Sequence, residues 1–230
     1  MSEAGLCALE ARVVECRRCP RLVAWREQVA REKRAAYATE TYWGRPMPGF
    51  GDPDARELVL GLAPAAHGGN RSGRIFTGDR SGDWLFASLH RTGFANQAVS
   101  VSREDGLELR GMWITAAVRC APPANRPTPQ ERDACLPWAI DELRLLRHAE
   151  LIVCLGAFAW DAALRLRAAV LGEPPPRPRP KFGHDVLWDA HPLPLLGCFH
   201  PSQQNTFTGK LTVEMTDAVF TRARALSGLS

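Results

Sequence analysis

Lysine is scarce in this chain of 230 residues: only three of its 29 basic side chains are lysines, and the other 26 are arginines. Few amines are therefore available to form a Schiff base with a substrate. Long apolar runs are also absent, and none approaches the ~20 residues that a membrane span requires. The N-terminal stretch MSEAGLCALEARVVE lacks the apolar core of a signal peptide. We expect a soluble, cytoplasmic protein that has no membrane partner.

The composition is that of a globular protein rather than a disordered one, with 45% hydrophobic and 23% charged residues. A chain of this length buries a sizeable core without help from disulfides. Its seven cysteines are an odd number and are spread along the chain, unlike the dense pairs of a secreted disulfide scaffold. In a reducing compartment, clustered cysteines more often indicate a metal or iron–sulfur site.

Short, continuously apolar runs alternate with helical stretches along the chain. The runs predict four strands that are buried on both faces, at residues 57–62, 112–118, 151–155 and 193–199. The stretches predict helices over residues 4–35 (interrupted near Pro20), 83–91, 129–148, 156–171 and 210–226. This alternation predicts an α/β fold with three α/β/α layers and a four-stranded parallel central sheet. Functional loops follow the carboxyl ends of such strands, which points to residues 63–82, 119–129 and 200–209.

Four of the cysteines are candidates for a shared site. Cys16 and Cys19 form a CxxC pair, Cys120 follows the second predicted strand, and Cys135 lies in the next helix. A site that used both pairs would clasp the N-terminal helices to the sheet. Four thiolates suit tetrahedral zinc or a [4Fe–4S] cluster, and the spacing does not choose between them. Rival pairings would use Cys7, or the two cysteines that are expected to be buried inside strands, Cys154 and Cys198.

The three loops and their flanks contain long, specific motifs. They read GLAPAAHGGNRSGRIFTGD at 61–79, ITAAVRCAPPANRPTPQE at 114–131 and HPSQQN at 200–205. Taken together, these motifs closely resemble the uracil-DNA glycosylase superfamily, and more narrowly its iron–sulfur branch, family 5 (type B). The resemblance covers nearly the whole chain, from CRRC at 16–19 to the last helix, in the order that the family shows.

The resemblance implies a DNA glycosylase of base excision repair. Such an enzyme hydrolyses the N-glycosidic bond of uracil, and here also of other deaminated bases such as hypoxanthine and xanthine, and leaves an abasic site. The resemblance further implies a single domain over residues 1–230, with an N-terminal helical segment that binds the cluster, acting as a monomer on damaged DNA. It selects a [4Fe–4S] cluster over zinc, with the family's ligand pattern falling on Cys16, Cys19, Cys120 and Cys135. We expect the cluster to be structural.

The family's catalytic roles fall on three residues of this chain. Glycosidic cleavage builds positive charge on the sugar and negative charge on the leaving base, so it needs a negative group and a hydrogen-bond donor. The resemblance assigns Asp79 to water positioning and oxocarbenium stabilisation, and His200 to donation towards the base carbonyl. Asn125 matches a family position near the base edge. Each residue also has a structural interpretation, as a helix cap, a turn-bracing histidine and a turn residue respectively.

Contacts to the flipped base and to the DNA backbone are implied in the same way. Phe76 would stack on the base, unless it is a core aromatic. The other predicted base-binding residues are Gly61, Ala63 and Ala116, and the predicted DNA-binding residues are His67, Asn70, Arg74, Ser202 and Asn205. Arg71 is a further candidate for a phosphate contact, and Gln203, Gln204 or Phe207 could fill the gap left by the flipped base. The alternative for the arginines is a solvated loop.

Alanines replace two polar positions that most of the superfamily uses. An acidic or amide residue usually follows the GxxP turn, where this chain has Ala65 and Ala66, and an asparagine usually stands at Ala116. Alanine can neither activate water nor hydrogen-bond a base edge. This pattern matches family 5 and its broader base tolerance. Two alternatives stay open: a catalytically silent iron–sulfur module that binds DNA, and a uracil-only enzyme similar to family 4.

The lysine positions predict that the DNA strand is not cut. Lys33 and Lys181 lie outside the three loops, and only Lys210, at the start of the last predicted helix, is close to one. An amine is needed to form a Schiff base with the sugar. We therefore expect a monofunctional glycosylase.

Overall fold

A computed structural model describes residues 2–229, so the predicted domain range of 1–230 extends one residue beyond it at each end. Its helices are α1 (Ser2–Val14), α2 (Pro20–Glu32), α3 (Gly69–Ser72), α4 (Arg80–Arg91), α5 (Pro129–Leu145), α6 (Ala157–Leu171), α7 (Gln203–Phe207) and α8 (Val213–Leu226). Its strands are β1 (Phe50–Gly51), β2 (Glu57–Gly61), β3 (Met112–Ala116), β4 (Leu151–Leu155), β5 (Leu187–Trp188) and β6 (Leu195–Cys198). None of these helices has the length and apolarity needed to cross a membrane.

The strands form one sheet in the order β1-β3-β2-β4-β6-β5. The four central strands are parallel to one another, while β1 and β5 pair antiparallel at the two edges. The four central strands are the four predicted from apolar runs, so the predicted α/β class and parallel core are confirmed. The edge strands were not predicted because two residues are too few to show an alternation of side chains.

Successive residues of a strand point to opposite faces of the sheet, so the buried strands present apolar side chains on both faces. Helices cover each of these faces. Val59 of β2 belongs to an apolar cluster with residues of α4 and α8, such as Phe86 and Phe220. Its neighbours Leu58 and Leu60 belong to a second cluster, formed with α5 and α6. All residues of β2, β3, β4 and β6 are buried, which explains why their sequences are apolar except at Glu57 and Thr115.

Helix ends follow the local sequence signals. Thr128 caps α5 in a capping box with Glu131, and Pro129 takes the first helical position, as the sequence predicts. Pro20 likewise opens α2. Helix α5 ends at Leu145 rather than at residue 148, and α8 begins at Val213 rather than at 210, because Thr212 caps it. The short helices α3 and α7 lie inside segments that were predicted as loops.

This topology collects the functional loops at one edge of the sheet. Strand β2 is flanked by β3 on one side and by β4 on the other, so the direction of the chain connections reverses beside it. Clefts of α/β folds form at such a point, beyond the carboxyl ends of the strands. The loops that follow β2, β3 and β6 therefore meet there.

Candidate active site

A cleft of about 610 Å³ lies where these three loops meet. The loop after β2 contributes most of its wall, the loop after β3 contributes Asn125, and the segment after β6 closes the far side. The residues that line the cleft are Leu62, Ala63, Pro64, Ala65, Phe76, Asp79, Arg80, Ser81, Asn125, His200, Ser202, Gln203 and Gln204. All three residues predicted to be catalytic therefore share one cavity.

Asp79 lies at the junction of the loop after β2 with α4 and belongs to both. It is the N-cap of α4, and its Oδ1 accepts a hydrogen bond of 3.0 Å from the Gly82 N–H. Its carboxylate also lines the cleft, so capping and exposure to a substrate are compatible. Burial raises the pKa of Asp79, and the backbone N–H groups of Gly82 and Ser81 oppose that rise. A Cβ on Gly68 would overlap this carboxylate, so the loop can pass so close only as glycine.

His200 lines the same cleft as Asp79 and comes just after β6. Burial lowers the pKa of His200 to about 4, so its imidazole is neutral at physiological pH. A neutral ring carries one N–H donor and one acceptor nitrogen. Asn205 holds the backbone at His200 in place, because its side-chain Nδ2 donates to the His200 carbonyl oxygen at 2.8 Å.

The fold should lose stability as the pH falls, because His200 takes up a proton more readily in the unfolded chain than in the folded one. Its pKa is about 4 in the folded protein against 6.5 for the free side chain. Between these values the unfolded chain takes up a proton that the folded chain excludes, so stability is complete above pH 6.5 and declines towards pH 4. We expect wild type to lose about 2 kcal/mol more than His200→Gln over this range. Urea unfolding of both proteins at pH 7 and pH 4.5 measures the difference; equal losses would contradict it.

Phe76 is a buried residue of the cleft lining. It is 6% exposed and has a positive φ of 54°, an uncommon backbone conformation for a phenylalanine. Its ring centroid lies 6.0 Å from that of His200, at an interplanar angle of 40°. Phe76 belongs to the apolar core cluster and also lines the cleft, so the core and stacking interpretations both apply to this one ring.

Gly61 and Ala116 support this ring from the ends of two paired strands. They are opposite each other in the register of β2 and β3, and Ala116 is 1% exposed in the same core cluster as Phe76. Ala116 is not among the residues that line the cleft, whereas Ala63 is. A Cβ on Gly61 would lie 2.8 Å from Cζ of Phe76. Glycine at this position therefore sets the position of the ring.

We expect Gly61→Ala to displace the Phe76 ring. Overpacking of this kind costs about 1–3 kcal/mol, so thermal stability and substrate binding should fall together. In a Phe76→Leu background the clash is smaller, and Gly61→Ala should then cost much less. A double-mutant cycle measured by thermal unfolding tests this coupling. Additive losses would show that the two residues act independently.

The rim of the cleft carries the polar side chains of the two remaining loops. Asn125 is exposed in a turn where it and Ala124 both have positive φ. Ser202 is the N-cap of α7, accepting from the Asn205 N–H, and is half-buried in the cleft wall. Gln203 and Gln204 are exposed beside it. These residues are available to a ligand that enters the cleft.

Two of the predicted DNA-binding residues point into the protein instead. Asn70 is completely buried and donates from Nδ2 to the Arg26 carbonyl oxygen of α2 at 3.2 Å. Arg74 is 6% exposed and is held by Asp105 at 2.7 Å and by Ser100 at 2.7 Å. Their side chains are committed to internal partners, which argues against the predicted phosphate contacts. We assign both residues a structural role.

Arg71 and His67 hold the loop that precedes Asp79. The guanidinium of Arg71 donates to the carbonyl oxygens of His67 and Gly78 at 2.8 and 3.0 Å, and it pairs with Glu40. His67 contacts the Tyr42 hydroxyl through Nδ1 at 3.0 Å, and burial lowers its pKa. Neither residue lines the cleft. Their contacts shape the loop and thereby fix the approach to Asp79.

Arg80 is a cleft residue that the sequence analysis missed. It is exposed at the start of α4, and its guanidinium lies 5.2 Å from the ring centroid of Phe207, which is 67% exposed. The pair connects α4 with the end of α7, and Arg80 also lines the cleft. The signal in the sequence was a basic residue next to Asp79, but spacing alone did not show that it faces Phe207.

The four candidate ligand cysteines line a second, much smaller cavity between α2, α5 and the segment after β3. Cys120 accepts a hydrogen bond from Nη1 of Arg26 at 2.9 Å, and Cys135 accepts one from the Arg119 backbone N–H at 3.3 Å. Burial raises the pKa of Cys120 to about 11 and that of Cys135 to about 12. Donors aimed at sulfur stabilise thiolates, so this donor set fits a thiolate-bound centre.

The cavity is not arranged around a single ion. Within residues 2–229, no group of three or more His, Cys, Asp or Glu side chains is placed to hold one metal ion. The other three cysteines are separate from this cavity: Cys7 is exposed, and Cys154 and Cys198 are buried in strands as predicted. None of the seven cysteines, all of which are described, forms a disulfide.

Known proteins with similar sequences show the family to which the chain belongs. The model of the uracil DNA glycosylase superfamily matches residues 48–224. A type-5 uracil-DNA glycosylase of Mycobacterium bovis is 55% identical over 98% of this chain and 83% of its own length. Type-5 enzymes of Thermus thermophilus and Pyrobaculum aerophilum are 50% and 46% identical, over 93% and 94% of this chain and 94% and 91% of their own lengths. The chain thus belongs to the uracil DNA glycosylase superfamily, among its type-5 enzymes.

Proposed function

We propose that this protein is a monofunctional uracil-DNA glycosylase of base excision repair, which hydrolyses the N-glycosidic bond and leaves an abasic site. One observation carries the proposal: a single cleft beyond the carboxyl ends of the strands brings together Asp79, His200, Asn125 and the ring of Phe76. Family membership supports the same activity. No lysine is among the residues that line this cleft, which favours hydrolysis over Schiff-base chemistry.

The base side of the reaction belongs to Phe76, His200 and Asn125. A uracil that is flipped out of the duplex would stack on the Phe76 ring, which replaces the stacking lost in DNA. His200, neutral in this environment, would donate its N–H to a carbonyl oxygen of the base, where negative charge grows as the bond breaks. The amide of Asn125 would hydrogen-bond the base edge from the rim.

The sugar side belongs to Asp79. As the glycosidic bond breaks, the sugar gains oxocarbenium character, and a carboxylate nearby stabilises that charge. Asp79 would also orient the water that attacks the sugar carbon and accept its proton. The cap to Gly82 holds the carboxylate in place during this step. Ser202, Gln203 and Gln204 at the rim would contact the DNA backbone and the gap left by the flipped base.

The apolar wall of the cleft favours a tolerant enzyme. Ala63 and Ala65 line it and present no donor or acceptor of their own side chains to the base. On this wall a different base leaves no buried donor or acceptor unpaired, so the wall itself discriminates weakly between bases. We therefore extend the proposed substrates to hypoxanthine and xanthine in DNA.

We also propose a [4Fe–4S] cluster on Cys16, Cys19, Cys120 and Cys135. The shared cavity and the donors to Cys120 and Cys135 support it. Cys16, Cys19, Cys120 and Cys135 would hold the cluster together from one cavity, although no three of the described side chains are placed around one metal ion. When bound, the cluster would supply a cross-link between α2, α5 and the segment after β3. The four cysteines lie outside the cleft, so we assign them no catalytic step.

Excision from end-labelled oligonucleotides tests the proposed activity. Matched strands carrying uracil, hypoxanthine or no lesion are incubated with the protein, as a monomer by sizing, and half of each sample is treated with alkali. We expect alkali-dependent cleavage at uracil and at hypoxanthine, and none in the lesion-free strand. Cleavage without alkali would contradict the monofunctional assignment, and cleavage at uracil alone would contradict the broad one. No cleavage of either would favour a DNA-binding module without catalysis.

A further inference from the structure

Arg26 is a buried positive charge that the glycosylase mechanism does not use. It lies on α2, is 2% exposed, and contacts Cys120, one of the four cysteines, while it does not line the cleft. Its Nη1 donates to Sγ of Cys120 at 2.9 Å, and both Nη atoms donate to the Cys16 carbonyl oxygen at 3.3 and 3.2 Å. Its buried Nε has no hydrogen-bond partner.

No carboxylate neutralises this guanidinium well. The nearest partner among the described side chains is Glu27, at 3.9 Å from Nη2. Glu27 is already bound by Arg17 through both of its oxygens. A buried charge without a close counter-charge is strongly unfavourable in a protein interior. A negative charge at the sulfur that Arg26 contacts, Sγ of Cys120, would relieve this cost.

A second buried arginine beside the same cavity makes the contrast clear. Arg119 is also 2% exposed and its backbone N–H bonds to Cys135. Its guanidinium is neutralised by Glu142, with contacts of 3.2 and 2.5 Å. Arg119 thus has its own carboxylate, whereas the acceptor that Arg26 faces at closest range is the sulfur of Cys120. Of these two arginines, only Arg26 lacks a close carboxylate.

We propose that Arg26 is the buried counter-charge of an anionic iron–sulfur centre on the four cysteines, and that it sets the reduction potential of that centre. The inference rests on the proposed cluster. Four thiolates outweigh the positive charge of the iron–sulfide core, so the centre is an anion and becomes more negative on reduction. A fixed positive charge and an N–H donor at a ligand sulfur both favour the reduced state.

Three variants separate charge from packing. Arg26→Gln removes the charge and keeps an N–H donor, Arg26→Lys keeps the charge, and Arg31→Gln removes a charge from an exposed position of the same helix. Iron and acid-labile sulfide are measured first, and then the midpoint potential in a mediated titration followed by electron paramagnetic resonance. We expect a more negative potential for Arg26→Gln, near-wild-type values for Arg26→Lys and no shift for Arg31→Gln.

The remaining outcomes of these measurements also test the proposal. An Arg26→Gln protein with full iron and an unchanged potential would overturn it. If Arg26→Gln loses iron, retention of iron by Arg26→Lys supports the counter-charge, and loss by both overturns it. Uracil excision is measured on the same wild-type preparation. If the wild type excises uracil but contains no iron, the inference about Arg26 is wrong and the proposed activity stands. If it contains iron but does not excise uracil, the proposed activity is wrong and the inference about Arg26 stands.

Discussion

Replacing Asp79 with asparagine should lower the rate of uracil excision by about 10²- to 10⁴-fold, the range found when a general base is removed. The structure makes this substitution unusually clean. Asparagine caps helices about as well as aspartate, so the hydrogen bond from Gly82 to the cap can be kept while the negative charge is lost. The expected result is a folded protein that still binds uracil-containing DNA. Single-turnover excision and thermal unfolding, measured on the same protein, test it.

Two further substitutions serve as controls for Asp79. Asp83→Asn removes a carboxylate from the exposed first turn of the same helix, outside the cleft, and should change excision little. Asp79→Ala removes both charge and cap, and should cost about 1 kcal/mol of stability beyond Asp79→Asn. Full excision by Asp79→Asn would mean that the carboxylate only caps the helix. A loss of excision that simply followed a loss of stability would mean the same.

Cys120→Ser should reduce the yield of folded protein and not only the turnover. Cys120 is 8% exposed and packs with Leu22 of α2 and with Val118 in a small core cluster. Because metal binding through thiolates is coupled to folding, loss of one ligand should release α2 from the sheet. We expect loss of bound iron and a destabilisation well beyond the ~1 kcal/mol of an average substitution. Iron content, soluble yield and thermal midpoint are the measurements.

Cys7→Ser provides the matched comparison. Cys7 is an exposed thiol on α1 that does not line the cavity of the four cysteines. Its replacement should leave iron content, yield and thermal midpoint at wild-type values. If Cys120→Ser instead gave a soluble, well-folded and inactive protein, the structural role of the centre would be wrong.

The sequence was a reliable guide wherever a local rule applies. Strands buried on both faces must be continuously apolar, and the four parallel strands were predicted for that reason. Thr128 and Pro129 predicted the start of α5, because helix capping depends only on neighbouring residues. The motifs of the three loops pointed to Asp79, Asn125 and His200, and the topology then placed these residues in one cleft. Their catalytic roles stay predictions.

Loop side chains were the part that the sequence did not determine. A loop has no periodicity, so nothing in its sequence tells which side chain turns inward. The sequence predicted a phosphate contact for Arg74, but in the folded chain this arginine pairs with Asp105, 31 residues further along. Asn70 is similar, because its partner is a backbone carbonyl 44 residues earlier. Both interactions depend on distant segments that meet only in the folded chain.

The sequence by itself determined the apolar strands, the helix caps and the residue types available for chemistry, because these depend on contacts within a few residues. The tertiary structure alone decided which of those residues face a common space. It showed that Asp79 is a cap and a cleft residue at once, and that Arg26 turns its charge towards Cys120. Burial and charge pairing depend on segments far apart in the chain, so they exist only after folding.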